Sequence, residues 1–387
     1  MNRASYDLFC ESVKKARELH TVPIYAAGDD TYVMTLGQAA PRDFEAVSER
    51  LYAKAAKAAR SYAVGENRFV WVEADDGYEG AYEIPSMREI RLIRRFGACL
   101  LPERLTEEHC FGKEKTLIQL CPDDDAGNFG MGYLVCLGDG HFVMYDGNGD
   151  LGGMADKLYG YLERYTPCGK TPVIDAWLIT HFHWDHVTGL YDFSKKYNTR
   201  VRLRNFLVNF PELEAVDLRE RGPNTEFYAR WWPKIREKFK EAAVWKLHTG
   251  LSTTIGDVRI EVLLTHEDHG FGGLRANDTS VVTTLSVNGK KLFFPGDLEN
   301  QKPCALLHNM YGGYLKSDVY QAAHHGWGTE ALCFYDDVDA PVVLWPLRLR
   351  DWDTIQQFPA TRRMTAEMEA GKRRFLLSRR EDIHLSF

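Results

Sequence analysis

Between Thr180 and His186 the sequence reads Thr-His-Phe-His-Trp-Asp-His, which puts three imidazoles and a carboxylate within six residues. Imidazole nitrogen and carboxylate oxygen form a borderline-hard donor set that suits divalent zinc, and also manganese or iron. In extended chain, residues two apart project to the same side, so His181 and His183 can turn both rings toward one ion. Asp185 and His186 fall where the chain passes into a helix carrying Val187, Leu190 and Tyr191, and can face a second ion beside the first. The spacing therefore points to a two-metal cluster. Two divalent ions sharing a water would bring its pKa to about 7 and supply hydroxide as a nucleophile at neutral pH.

Such a cluster needs a rigid support, and the flanking sequence provides one. Val173 to Thr180 is mostly apolar and reads as a buried strand running straight into the histidines. Thr116 to Leu120, Gly132 to Cys136 and His141 to Tyr145 are strand-like before it, and Lys157 to Tyr165 is helical. Beyond it the pattern predicts strands over Arg200 to Asn209 and Val258 to Leu264, and a helix over Glu226 to Glu241. Thr279 to Val287 and Lys291 to Phe294 form a hairpin around Asn288-Gly289. Asp318 to Ala323, Val342 to Trp345 and Phe375 to Ser378 are the late strands. Two strand-rich halves with helices between them fit a layered α/β domain.

The first hundred residues differ. Met1 to Leu19 and Asp43 to Ser61 have helical patterning, and Thr31 to Leu36, Arg68 to Glu73, Ala81 to Ile84 and Ile90 to Ile93 are strand-like. The division expected is a small α+β appendage over residues 1–112 and a main domain over 113–387. The appendage shows no catalytic spacing, and its partner is not specified by the sequence.

Composition bounds the remaining possibilities. A chain of 387 residues with 44% hydrophobic and 27% charged residues is globular rather than disordered. A formal net charge of −7 provides no global basic field to favour nucleic acid or an anionic membrane. No apolar run approaches the roughly 18 residues of a membrane span, and the first residues lack the apolar core of a signal peptide. A cytoplasmic enzyme with a small-molecule substrate is expected. Eight cysteines, scattered without a Cys-x-x-Cys pair, read as buried thiols rather than a zinc or disulfide framework.

The segment His181 to His186 resembles the hallmark of the metallo-β-lactamase superfamily, His-x-His-x-Asp-His after a buried strand. Asp146 at the end of one strand, Gly296-Asp297 after another and His324-His325-Gly326 after a third are similar to further motifs of that superfamily, in the same order. The resemblance spans about residues 115–387 and implies a four-layer αββα sandwich. It also implies that Asp297 bridges two ions, that one histidine of His324-His325 completes the second site, and that Asp146 supports a ligand histidine. Adjacent residues at a strand end point apart, so one of the pair reaches the cluster; His325 is favoured as ligand and His324 as a catalytic contact or proton donor. Asp185 is expected to orient the nucleophile as well as to bind. Asn277-Asp278 stands where relatives carry a third histidine for the first site; Asp278 is a candidate oxygen ligand there, and His266 and His269 are alternatives. Trp184, Trp327 and Trp345 are candidate substrate walls.

The passages Asn277 to Val282, Gly296-Asp297 and Asp318 to Gly326 look most like the branch containing the hydrolase domain of DNA-uptake channels and the phosphorylcholine esterases. That likeness implies hydrolysis of phosphate esters or phosphodiesters. Hydrolysis of lactones, thiolesters or amides by the same hydroxide is the enzymatic alternative, and a metal-stabilised binding protein the non-catalytic one.

Overall fold

Three sheets account for the strands of the computed structural model. It describes residues 101–387 apart from 103, 108–109, 122–129, 150–152, 212–215, 218–222, 248, 250, 267–273, 328–331, 348 and 379–380, and before residue 101 it describes the backbone of five strands. These are β1 (Thr21–Ala27), β2 (Asp30–Thr35), β3 (Ser61–Val64), β4 (Asn67–Glu73) and β5 (Arg91–Arg94), antiparallel throughout in the order β3-β4-β1-β2-β5. Strands expected from Thr31, Arg68 and Ile90 fall on β2, β4 and β5. The helix expected over 1–19 and the strand over 81–84 lie outside the described residues. Of the helix expected over 43–61 only Ser61 is described, and it opens β3.

From residue 116 the chain builds two larger sheets. The first contains β6 (Thr116–Gln119), β7 (Tyr133–Gly138), β8 (His141–Tyr145), β9 (Val173–Leu178), β10 (Arg202–Leu203), β11 (Asn205–Val208) and β12 (Ala243–Lys246). The second runs β13 (Ser252–Ile255), β14 (Val258–Leu264), β15 (Val282–Val287), β16 (Lys290–Phe294), β17 (Val319–Gln321), β18 (Val342–Trp345) and β19 (Arg374–Leu377), in chain order. The last strand, β20 (Ile383–Ser386), returns to the first sheet, whose order is β12-β11-β9-β8-β7-β6-β20 with β10 also on β9.

Alternation along the strands makes the core. Leu117, Val135, Val143, Ala176 and Leu178 of the first sheet face Ile260, Val262, Leu285, Leu292 and Leu344 of the second. Their neighbours Leu134, Phe142, Met144, Ile174 and Trp177 face the other way, beneath helices α1 (Met154–Arg164), α2 (Trp184–Tyr197) and α3 (Pro223–Lys238). Burying one side chain of this size stabilises by about 1.5–3 kcal/mol. On the far side, α4 (Gln301–Tyr311), α5 (Leu332–Val338), α6 (Trp352–Ile355) and α7 (Pro359–Glu369) cover the second sheet. There Tyr335 of α5 meets Tyr320 at 5.7 Å and Trp352 of α6 meets Trp345 at 5.6 Å. The layering is helix, sheet, sheet, helix, the four-layer sandwich expected.

β9 is buried on both faces because α2 covers one and the second sheet the other. The charged residue within it, Asp175, is matched by Arg204 Nη1 at 2.7 Å and His141 Nδ1 at 2.8 Å. Strands β8, β9, β16 and β17 lie in the parallel parts of their sheets, and residues just past their carboxyl ends build the site.

Candidate metal centre

After β9 the chain bends at Thr180 and runs on to His183, whose extended backbone (φ −66°, ψ 150°) is the N-cap of α2. Extended geometry places His181 and His183 on one side, their ring centroids 4.7 Å apart. Phe182, between them, turns the opposite way and packs with Val216 and Ala276. Helix α2 then carries Asp185 and His186 in its first turn, where a carboxylate is favoured by the helix dipole.

The α2 start is locked to the loop after β8. Gly147 N donates to His186 O at 2.5 Å and Gly189 N to Asn148 O at 2.9 Å, so the helix crosses the loop at backbone contact. A Cβ on Gly189 would be driven into the Gly147 carbonyl oxygen. Asp146 adopts a left-handed backbone (φ 53°), and its carboxylate accepts from Thr180 N and Thr180 Oγ1, each at 2.8 Å. Its Oδ2 also stands 2.8 Å from His186 Nδ1, which fixes that ring with Nε2 turned inward.

The second sheet supplies the other wall. Gly296 holds φ +63° where a Cβ would strike Ser280 and Thr180, and it delivers Asp297 to the centre. Asp297 Oδ2 lies 3.1 Å from His186 Nε2, 3.5 Å from His325 Nε2 and 3.9 Å from His181 Nε2. His325 is oriented by Nδ1 donating to Pro346 O at 3.0 Å, and its Nε2 is 3.3 Å from Asp185 Oδ2. Among the described residues two donor groups result, Asp185, His186, Asp297 and His325, and His181, His183 and Asp297; within each, the donor atoms all lie within 4.8 Å of one another. Asp297 belongs to both.

Electrostatics agree with a cation site. Burial, reinforced by His186 and His183, holds His181 well below its ordinary value, so it is neutral and able to ligate. Burial works against ionising Asp297, but His186 and His325 outweigh it and keep the carboxylate well below its usual range. Burial likewise opposes charge on His186, yet Asp297 and Asp146 raise it well above an ordinary histidine. Buried carboxylates here demand positive charge. His181 Nε2 and Asp297 Oδ1 are buried without a hydrogen-bond partner, as donors meant for an ion would be. The residues therefore fit divalent cations.

Three expected contacts are placed elsewhere. Asp278 does not join the cluster: Oδ1 accepts from Asn300 N at 3.1 Å and Oδ2 from Asn300 Nδ2, so both oxygens are taken up in holding the start of α4. His324 and His325 are separated by consecutive left-handed residues (φ 47° and 54°) rather than by strand alternation. That turn sends His324 to Glu299 Oε2 at 2.7 Å and Asn277 Nδ2 at 3.0 Å, so both ring nitrogens face protein groups. Trp345 is fully buried and donates to His325 O at 2.9 Å, which makes it core and not a substrate wall. Trp184 is 37% exposed between two donors, and Trp327 is half-buried. His266 is buried just past β14, and His269 lies outside the described residues. Glu299 and Ser280, which steady His324 and the Asp297 backbone, receive no role from sequence reading: Glu299 stands in no motif, and Ser280 stands within Asn277 to Val282 without a ligand's side chain.

A family model for the beta-lactamase superfamily domain matches residues 156–313, a span that includes His181 to His186 and Asp297 and ends before His325. No curated protein matches the sequence. Among solved structures, the metallo-beta-lactamase fold protein YhfI from Bacillus subtilis is 13% identical with a TM-score of 0.43, covering 71% of this chain and 99% of that one. Zn(2+)-bound PqqB from Methylobacterium extorquens is 10% identical with a TM-score of 0.43, covering 70% and 99%. CmlA, a diiron β-hydroxylase from Streptomyces venezuelae, is 13% identical with a TM-score of 0.42, covering 73% and 55%. Two mixed sheets face to face with helices outside, and motif residues past their carboxyl ends, constitute the metallo-β-lactamase fold. Among the described residues no helix is long and apolar enough to cross a membrane.

Proposed function

We propose that this chain is a metal-dependent hydrolase of the metallo-β-lactamase superfamily acting on phosphate esters or phosphodiesters. The observation that carries the reading is the pair of donor groups that share Asp297. His181, His183 and Asp297 would hold one divalent ion, and Asp185, His186, His325 and Asp297 the other. Zinc suits the donors best, and manganese and iron are also compatible. Bound there, two such ions supply Lewis acidity toward a phosphoryl or acyl oxygen and an acidified water as nucleophile.

The chain's own part is positioning. Asp146 and the Pro346 carbonyl aim the His186 and His325 rings, so their Nε2 atoms would be offered to an ion without reorganisation. Asp185 is assigned as ligand and as the group that orients the nucleophile. His324, held by Glu299 and Asn277, is assigned to bracing the loop at Asn277 rather than to proton donation. The substrate class rests on the resemblance of Asn277 to Val282 and Asp318 to Gly326 to the phosphodiester-cleaving branch. Residues 1–112 are assigned to a separate appendage, and a cytoplasmic location is part of the same reading.

Turnover of bis(p-nitrophenyl) phosphate by metal-loaded protein is compared with that of Asp185→Ala. Equal rates would remove the site from the chemistry. A parallel set of lactones and thiolesters decides the substrate class, since faster acyl cleavage than phosphodiester cleavage would overturn the phosphoryl assignment.

A further inference from the structure

Three consecutive residues after β17 hold positive φ: His324 at 47°, His325 at 54° and Gly326 at 88°. Only glycine enters that region without a steric cost, so His324 and His325 are strained and persist there because surrounding contacts fix them. For His325 and Gly326 those contacts come from the core. Trp345 Nε1 donates to His325 O at 2.9 Å, His325 Nδ1 to Pro346 O at 3.0 Å, and Thr361 Oγ1 to Gly326 O.

His324 is held instead by the loop before β15 and the loop after β16. Its Nδ1 stands 2.7 Å from Glu299 Oε2 and its Nε2 3.0 Å from Asn277 Nδ2, while its backbone N donates to Gly296 O at 3.2 Å. Glu299 is itself fixed. It is 8% exposed, its Oε1 lies 2.7 Å from Arg275 Nη1, and the next residue, Asn300, donates to Asp278. The carboxylate therefore stands firmly two positions past Asp297 and grips the ring one position before His325. Were the grip released, the nearest relief of strain would be return of His324 to negative φ. Rotation there swings His325, whose Nε2 lies 3.3 Å from Asp185 Oδ2 and 3.5 Å from Asp297 Oδ2.

We propose that Glu299 is a positioning residue: by gripping the His324 ring it holds a strained left-handed turn closed, and so keeps His325 Nε2 at the centre. The work of His324 is then conformational, and any residue content with positive φ can replace it. The inference deepens the metal-centre reading and rests on it only where zinc is the probe.

Full-length Glu299→Ala, His324→Ala, His324→Gly and the double variant Glu299→Ala/His324→Gly make the test. Alanine at position 324 loses the grip and keeps the strain, whereas glycine loses both. Zinc dissociation constants from chelator competition should rise about 10-fold or more for Glu299→Ala and His324→Ala. They should stay close to the wild-type value for His324→Gly, and for Glu299→Gln, which keeps an acceptor oxygen. Thermal unfolding of metal-free protein gives a second reading, in which Glu299→Ala lowers Tm by roughly 2–4 °C. That fall should be smaller when the same change is made in the His324→Gly background, because the two residues act as one unit. Equal zinc losses in His324→Ala and His324→Gly would overturn the proposal, as would equal Tm falls in the two backgrounds. Wild-type protein that binds no zinc would instead remove the metal reading, and the metal-free comparison would still decide the role of Glu299.

Discussion

Asp146→Asn isolates how the His186 ring is aimed. In the native protein the Asp146 carboxylate is fully buried, accepts two bonds from Thr180 at 2.8 Å each and faces His186 Nδ1 at 2.8 Å. Asparagine keeps the shape but replaces one acceptor with an amide donor. If its oxygen retains Thr180 N, its NH2 confronts the His186 Nδ1–H. The ring must then move its proton to Nε2, the nitrogen required for an ion, or rotate away. Losing a group that orients a ligand histidine typically weakens metal affinity about 10–100-fold, which is about 1.4–2.7 kcal/mol. The loss of one charge-assisted hydrogen bond, about 1.5–3 kcal/mol, gives the same range by an independent route. Zinc dissociation constants from chelator competition at neutral pH, measured in parallel for the wild type, Asp146→Asn and His186→Ala, make the comparison. The affected ion is the one shared by Asp185, His186, Asp297 and His325. Affinity for Asp146→Asn within threefold of wild type, while His186→Ala is impaired, would refute the orientation argument.

Other outcomes follow from the same geometry. Asp278→Asn should leave zinc stoichiometry unchanged, because its oxygens serve Asn300; loss of one equivalent, read by elemental analysis, would return Asp278 to the ligand set. Gly189→Ala should destabilise by roughly 2–4 kcal/mol through collision with the Gly147 carbonyl, visible as a lower denaturant midpoint. In chelated protein His325 is raised from 6.5 to about 9, as Asp297 and Asp185 outweigh burial. A histidine with a raised folded-state pKa adds stability that is complete below 6.5 and is lost as pH climbs through 9, so the melting temperature of the ion-free protein should fall across that interval. The metal-loaded protein, whose ligand nitrogens carry no proton, should not follow that slope; identical profiles for the two forms would count against metal binding by His325.

The fold and half of the site are written locally. His181, His183, Asp185 and His186 occupy one strand-to-helix junction, where period-two projection and then the first helical turn set their directions regardless of the rest of the chain. Strands such as His141–Tyr145 and Val342–Trp345 are legible for the same reason, being buried runs with strong β patterning. β20 is not: its residues are partly exposed, and its place is decided by pairing Ile383 with Gln119 across most of the domain. β1 escapes pattern reading because Pro23 interrupts it. The fates of Asp278 and His324 are likewise non-local, since Asn300 stands 22 positions from one and Asn277 stands 47 from the other. A residue's type states which bonds it can make. Which partner it meets depends on strand pairing within the second sheet, which brings Asn300 to Asp278 and Glu299 to His324, and on how the two sheets close, which brings His325 to Asp185.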